Sequence, residues 1–203
     1  MRDLLRLFLA VTIFSAVSGG LLSLVKSSTK ARIEYQQLKF VKGPTLKEIM
    51  KGCQNDPIVD RFKLKYGKKE ETIFVGIFDG KPKAVALEAF GKGFHGDIGV
   101  MVGIDISADK LVGIGVTTHS ETPGVGSRVK TDPTFRSQFK GIPVKTTVKV
   151  KADGGQIDAI TGATISSRGV CNAVNNALAI YQKLKPEILK RLKSFKSSSL
   201  KRG

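Results

Sequence analysis

A hydroxyl group at the start of a predicted helix is the best candidate for chemistry in this chain. Thr164 follows Gly162 and Ala163, two small residues that leave its oxygen open to a bulky group. Apolar side chains recur at helical spacing over residues 165–184, which places Thr164 at or just before a helix N-terminus. Free backbone N–H groups and the helix dipole favour a phosphate there. The hydroxyl could hold a phosphate non-covalently or become esterified to it. In the alternative interpretation, Thr161 or Thr164 is only an N-cap.

A second polar segment, residues 119–128, lies between two structured regions. It combines a titratable histidine, a carboxylate, several hydroxyls, a proline and two glycines. Pro123-Gly124 presets a turn, so the backbone here is expected to be rigid. Rigid polar loops are common places for ligands to be held, although an ordinary connection with Pro-Gly at its tip fits the same residues.

The elements that must position these two segments are predicted to form an α+β domain rich in antiparallel sheet. Two strand pairs and one further strand precede the long C-terminal helix, and this order favours α+β over a doubly wound sheet. The strands are predicted at residues 72–78, 83–90, 98–106, 111–118 and 144–150. Thr45 with Glu48 fits a capping box at the start of a short helix.

The N-terminal segment is predicted to anchor the chain in a membrane. Leu7 to Val25 is a run of 19 residues without a charge, bounded by Arg6 and Lys26. As a helix it would be roughly 28 Å long, close to the thickness of the hydrocarbon layer. No clear small-x-small cleavage site follows it, which favours an uncleaved anchor over a signal peptide. Basic residues flank both ends, so charge does not decide its orientation.

The chain is strongly basic, with 34 Lys and Arg against 17 Asp and Glu, a net charge of +17. Part of the excess lies in a basic segment from Lys183 to the end. Aromatic platforms and a recognisable nucleic-acid-binding fold are missing from the pattern, so an anionic lipid or an acidic partner is the better target. A solvated tail explains the same composition. Cys53 and Cys171 lack metal-ligand spacing, and whether they form a disulfide stays open.

Taken together, the segments resemble the G subunit of the Rnf electron-transport complex. The resemblance is carried by the membrane span ending in GLLSLV, the segments 93–98 and 103–105, the loop 119–126 and the motif 158–164 followed by a helix. It extends to about Lys185. The C subunit of the sodium-pumping NADH:quinone reductase shares the same FMN-binding domain and is similar too. Thr161 departs from the serine that is common at its position, and the basic tail is not typical of the family.

The resemblance implies that FMN is bound covalently, through a phosphoester to Thr164, the last residue of the motif that opens with Asp158. A separate flavin transferase would make this bond from FAD. The resemblance implies two further groups of cofactor-binding residues. The first comes from the same motif and consists of Thr161, Gly162 and Ala163. The second comes from the loop expected to lie against the flavin ring and consists of His119, Glu121, Thr122, Pro123 and Gly124. We expect His119 either to donate a hydrogen bond to the ring or, when protonated, to favour the anionic reduced flavin. No catalytic residue and no metal ligand are expected.

The expected function is that of a redox subunit that passes electrons between ferredoxin and NAD within an ion-translocating complex, coupled to Na⁺ or H⁺ movement. The expected partners are the other subunits, the flavin transferase and membrane lipid. The expected location is the cytoplasmic membrane, with the FMN domain facing the periplasm or cell exterior. Alternatives are a subunit of the quinone reductase type, a stand-alone respiratory flavoprotein and a non-redox binding module. The predicted divisions are an anchor at 1–26, a linker with short helices at 27–70, the FMN domain at 71–185 and a basic tail at 186–203.

Overall fold

The computed structural model describes residues 2–195 and divides them into two units, one ending at Lys39 and the other beginning at Phe40. The first unit consists of helix α1, Arg2–Gln36, which is followed by a π-helical turn at Gln37–Lys42. The part of α1 from Arg2 to Lys30 is long and apolar enough to cross a membrane, and none of its most apolar window is buried. This span contains the uncharged run Leu7 to Val25 and extends beyond it at both ends.

The second unit is built on one antiparallel sheet. Its five strands are hydrogen-bonded in chain order, so each strand pairs with the one that precedes it. The elements are α2 (Gly43–Ile49), β1 (Arg61–Tyr66), β2 (Lys69–Phe78), β3 (Lys81–Lys92), β4 (Asp97–Asp105), β5 (Lys110–Thr118), α3 (Arg128–Thr131), α4 (Pro133–Ser137), a 3₁₀ turn (Lys151–Asp153) and α5 (Thr164–Lys193). The predicted α+β class with a C-terminal helix is confirmed.

One face of the sheet packs against α5. Alternating residues of the two central strands, such as Leu87 of β3 and Val102 of β4, are fully buried there with Val174 of α5. Helix and sheet come closest at Gly91, where an added Cβ would lie 2.0 Å from the carbonyl oxygen of Gly169. Since neither position carries a side chain, the start of α5 lies directly over the end of β3.

The other face is covered by α2. Leu46 and Met50 are fully buried on this side, and Gly115 of β5 leaves the space that a methyl group of Thr45 occupies. The predicted capping box is wrong, because α2 already begins at Gly43. The Thr45 hydroxyl donates to the carbonyl of Val41 at 3.3 Å instead. Glu48 is taken up by an ion pair of 2.8 Å with Arg136.

Three further elements differ from their predictions. Strand β1 was not predicted and lies within the segment assigned to a linker. Residues 144–150 form no strand, because side chains of α5 take the place of a partner strand: Asn175 makes two 2.8 Å hydrogen bonds to the backbone of Val148. Helix α5 continues past Pro186 to Lys193. Burial of Ile188 and Leu192 stabilises that last part. The remaining tail, 196–203, lies outside the described residues.

Candidate functional site

Thr164 is the first residue of α5, as the sequence predicts, and its hydroxyl is not used as a cap. The N-cap position belongs to Ala163, which has a φ of −132° and offers no side-chain oxygen. No hydrogen bond of the Thr164 hydroxyl is found among residues 2–195, and the side chain is half-buried. The first-turn amides of a helix have no intrahelical acceptor. Here no side chain caps them. The N-cap interpretation is therefore excluded.

The turn that leads into α5 is fixed by Ser167. Its hydroxyl accepts a hydrogen bond of 3.0 Å from the amide of Ile160 and lies 3.0 Å from the carbonyl of Ala163, to which it donates. Gly162 has a φ of +79°, a left-handed conformation that favours glycine. Thr161 and Gly162 are exposed, whereas Ala163 is buried. The motif thus leads the chain through a fixed turn straight into the helix.

Glu121 lies at the centre of the site, with 5% of its surface exposed. One carboxylate oxygen accepts hydrogen bonds of 3.0 Å from the amides of Phe94 and His95, and the other accepts from the hydroxyl of Ser166. Burial alone would raise the pKa of Glu121. The three hydrogen bonds, together with the electrostatic effect of His95, outweigh burial and hold the pKa of Glu121 below its usual range, so the carboxylate is ionised at neutral pH.

A cavity of about 340 Å³ opens beside this carboxylate, a volume within the usual range of small-molecule sites. Its walls come from the β3–β4 loop, the loop after β5 and the start of α5. The lining residues are Phe94, Glu121, Thr122, Val125, Gly126, Gly162, Ala163, Thr164, Ile165 and Ser166. Apolar side chains are exposed around it, with Phe94 at 64%, Val125 at 44% and Ile165 at 46%. The cavity therefore has a polar inner surface, with Glu121 and Ser166, and an apolar rim formed by Phe94, Val125 and Ile165.

Five of the predicted site residues line this cavity: Thr164, Gly162, Ala163, Glu121 and Thr122. The Thr122 hydroxyl also lies 3.4 Å from Nδ1 of His95. Pro123 and Gly124 form the exposed turn next to it, where Gly124 has a φ of +75° and its amide donates to the Ser127 hydroxyl at 2.9 Å. Thr161, Pro123 and Gly124 therefore border the cavity in sequence without lining it.

His119 and Asp158 lie outside the cavity wall. Burial and the neighbouring Lys130 lower the pKa of His119, while Glu121 acts in the opposite direction. The imidazole is therefore neutral at neutral pH, which favours the predicted hydrogen-bonding role over the protonated one. Asp158 is exposed, forms a 2.8 Å ion pair with Lys151 and holds the side chain of Gln138 through its backbone. Its contacts fix the approach to the motif.

The sequence did not single out Ser166, Val125 or Ile165 as site residues. Ser166 carried a weak signal, because it is a second hydroxyl residue in the first turn of the helix, two positions after Thr164. Both cysteines are free in the structure. Within the described range 2–195, no group of three or more His, Cys, Asp and Glu side chains could hold a metal ion.

Comparison with known proteins defines the class first. Residues 93–179 match the family model of the FMN-binding domain, and this range covers the cavity and the first half of α5. The solved structure of NqrC from Shewanella oneidensis shares the fold, with a TM-score of 0.52 and 26% identity over 68% of this chain and 72% of that chain. The chain therefore contains an FMN-binding domain, and its fold is that of NqrC.

Two relatives of known class identify the family within these FMN-binding proteins. The G subunit of the ion-translocating oxidoreductase complex from Methanosarcina acetivorans is 31% identical, covering 87% of this chain and 94% of that protein. The corresponding G subunit of Cronobacter sakazakii is 34% identical over 88% and 90% of the two chains. The chain belongs to the family of G subunits of ion-translocating oxidoreductase complexes, which confirms the predicted resemblance. With its apolar helix α1, it is a membrane-anchored, FMN-binding redox subunit.

Proposed function

We propose that this chain carries FMN esterified to Thr164 and passes electrons within an Rnf-type complex. In that complex, electron transfer between ferredoxin and NAD is coupled to the movement of Na⁺ or H⁺. The observation that carries the proposal is the hydroxyl of Thr164, which lies without a hydrogen-bond partner in residues 2–195 on the wall of a ligand-sized cavity.

The start of α5 suits a phosphate. The amides of Thr164, Ile165 and Ser166 form the first turn of a 30-residue helix that no side chain caps. Amides in this position, together with the helix dipole, stabilise an anion. A phosphoester on Thr164 would place its negative charge at this end of the helix.

The rim of the cavity suits an isoalloxazine ring. Phe94, Val125 and Ile165 expose apolar surface beside Thr164, and an aromatic heterocycle would remove that surface from water. FMN would supply the redox chemistry, while the protein supplies position and electrostatics. The ionised carboxylate of Glu121 is the charged group of this chain that lines the cavity.

Attachment is a group transfer in which this chain is the acceptor. The Thr164 oxygen forms a bond to the flavin-side phosphorus of FAD, the pyrophosphate bond breaks, AMP leaves and the hydroxyl proton is lost. Nothing is oxidised or reduced. A separate flavin transferase catalyses this step, and the other partners are the remaining subunits of the complex and membrane lipid. The FMN domain faces the periplasm or cell exterior, and α1 spans the cytoplasmic membrane once.

Replacing the hydroxyl tests the attachment site. In a host that contains the flavin transferase, Thr164→Val should lose the yellow-green fluorescence of the denatured protein in a gel and the added FMN mass in an intact-protein spectrum. Valine keeps the shape of threonine and removes the oxygen. Thr147→Val is the matched control, since Thr147 is exposed and lies outside both the motif and the cavity wall; this variant should remain fluorescent. Fluorescence retained by Thr164→Val would disprove the assignment.

A second candidate is a subunit of the quinone-reductase type, which the similarity to NqrC favours. The relatives from ion-translocating oxidoreductase complexes align over 90% or more of their own length, which supports the Rnf-type assignment. Purification of the tagged chain from its own membranes separates the two, because the co-purifying subunits identify the complex. The match to the FMN-binding domain favours either flavoprotein over a non-redox binding module.

A further inference from the structure

Glu121 is a buried carboxylate without a cationic partner. No lysine, arginine or histidine side-chain nitrogen lies within 4.0 Å of its oxygens in the part of the chain that the structure describes. A buried charge is tolerated only when hydrogen bonds replace the lost water. In Glu121 the hydrogen bonds come from the amides of Phe94 and His95 and the hydroxyl of Ser166.

These donors belong to segments far from Glu121 in the sequence. Phe94 precedes it by 27 residues and lies in the β3–β4 loop, while Ser166 follows it by 45 residues and lies in the first turn of α5. One carboxylate thus connects all three walls of the cavity. Loss of the side chain would leave the three walls without this common attachment.

The backbone around the carboxylate leaves space for it. An added Cβ at Gly93 would lie 2.6 Å from Oε1 of Glu121, and one at Gly126 would lie 2.9 Å from Oε2. At Gly126 the added atom would also lie 2.8 Å from the Ser166 hydroxyl. The contact between Glu121 and the start of α5 is therefore possible because neither glycine has a side chain.

We propose that Glu121 is a positioning residue for flavin attachment. Through Ser166 it holds the first turn of α5, and with it the Thr164 hydroxyl, in place beside the other two walls. Because no side chain caps this helix, the link from Glu121 to Ser166 fixes a turn that would otherwise fray. The inference rests on the proposed attachment of FMN to Thr164, and it assigns to Glu121 the presentation of that hydroxyl to the transferase.

The test measures the rate and the final extent of flavin transfer in detergent, with the full-length apoprotein, purified flavin transferase and FAD, followed by intact-protein mass. Glu121→Ala should lower the maximal rate about tenfold to a hundredfold, as expected for a misplaced acceptor. Ser166→Ala should lower it in the same direction. In both, loading should finally reach the extent seen in the unmodified sequence, because a folded but misaligned acceptor is slow and still competent.

Glu121→Gln is the conservative variant. Its amide oxygen can accept from the backbone amides of Phe94 and His95, and its NH₂ group can donate to the Ser166 hydroxyl, so a rate close to the original is expected. Ser120→Ala is the matched control, since Ser120 is exposed and does not line the cavity; it too should load normally. Thermal unfolding by circular dichroism is recorded for every variant.

The outcomes are distinguishable. An unchanged rate in both Glu121→Ala and Ser166→Ala overturns the inference, as does a rate in Glu121→Gln as low as that in a folded Glu121→Ala. If Glu121→Ala does not fold, Ser166→Ala and Glu121→Gln test the inference without it. An unchanged rate in Ser166→Ala, or a strongly lowered rate in Glu121→Gln, then overturns the inference. Thr164→Val is run in parallel. If Thr164→Val becomes labelled with flavin, the proposed attachment to Thr164 is itself overturned. If Thr164→Val is not labelled while Ser166→Ala and Glu121→Ala load at the normal rate, only the role of Glu121 is overturned.

Discussion

At the scale of single residues, one hydroxyl of the site is free to react, and the neighbouring hydroxyls hold the backbone in place. Thr164 offers a hydroxyl with no hydrogen-bond partner within residues 2–195, while Ser166 and Ser167 use theirs to bind Glu121, Ala163 and the backbone before the helix. Three hydroxyls within four residues thus have different environments. Their sequence positions alone predict a hydroxyl at the helix start, and the structure shows that Thr164 and Ser166 line the cavity whereas Ser167 does not.

The limits of prediction are clear at this scale. Spacing identifies Thr164 because a helix N-terminus is encoded locally, by the small residues before it and the apolar periodicity after it. The bond between Glu121 and Ser166 joins residues 45 positions apart, and a single sequence carries no signal for such a contact. Likewise, neither cysteine could be assigned a state. The structure shows Cys171 buried and free, and burial raises the pKa of its thiol to about 12, which makes it unreactive.

The titration of His119 gives a prediction for stability. Burial and Lys130 lower the pKa of His119 in the folded chain, so the unfolded chain binds the proton more readily. Stability is therefore complete above the unfolded pKa of about 6.5 and is lost as the pH falls towards the folded pKa. Urea unfolding at about pH 7.5 and about pH 5.5, followed by circular dichroism, should show a decrease in the free energy of unfolding.

In His119→Gln this decrease should become smaller, because glutamine does not titrate. The carboxylate of Glu121 also loses stability on acidification, but its lowered pKa places that loss at a pH below the histidine window. An identical pH dependence in His119→Gln and the unmodified chain would exclude His119 as its source.

At the scale of elements, α5 and β3 define where the site lies. The helix starts at the cavity and runs across β3 and β4 to β1, where Phe195 lies against Phe62 with ring centroids 6.1 Å apart. The close approach of Gly91 and Gly169 sets the distance between helix and sheet next to the first turn. The cavity therefore depends on packing along the whole contact and not on the loops alone.

Strand and helix predictions succeeded where the pattern reflects burial and failed where tertiary contacts override it. The four strands β2 to β5 alternate or run apolar because both faces of the sheet are covered. In β1, Phe62, Leu64 and Tyr66 alternate with lysine and arginine. This alternation is typical of a half-buried strand, so the sequence carries a signal for β1 that the prediction above does not use. Pro186 removes one helix hydrogen bond, and the sequence therefore suggested an end that burial of Ile188 prevents.

Gly91→Ala tests the contact between helix and sheet. A methyl group at this position would lie 2.0 Å from the carbonyl oxygen of Gly169, so the helix or the strand must shift. We expect a loss of about 1–3 kcal/mol in the free energy of unfolding, as is usual for overpacking, together with slower flavin loading. Gly113→Ala in β5 is the control, because an added Cβ meets nothing within 4 Å there. Equal stability of the two variants would show that the close approach is not a constraint.

At the scale of the whole molecule, the chain is a membrane helix followed by a basic FMN-binding domain. Helix α1 exposes large apolar side chains along the span Arg2–Lys30, which lipid would cover. The net charge of +17 offers a second, electrostatic route to an anionic membrane surface. These two modes of association respond differently to salt and alkali.

Membrane extraction separates them. If α1 spans the bilayer, the protein should stay with the membrane through washes in high salt and alkaline carbonate and should require detergent for release. The double substitution Phe14→Arg with Val17→Arg should release it, since each arginine at the centre of a span costs about 2.5–3.5 kcal/mol. Ser28→Arg with Thr29→Arg adds the same charge near the end of the span and should remain embedded. Release of the unmodified chain by salt alone would show that charge, and not α1, holds it.

The assembly of the cavity from three distant segments has a consequence for biogenesis. A nascent chain that has reached Thr164 has yet to form the α5 that Glu121 holds. On the proposal above, the acceptor therefore becomes efficient late, after the sheet and the helix have docked. Cofactor loading would then act as a checkpoint on maturation. Chains with a misfolded core would stay colourless, and the flavin content of a cell's pool of this protein would report the fraction that reached its native state.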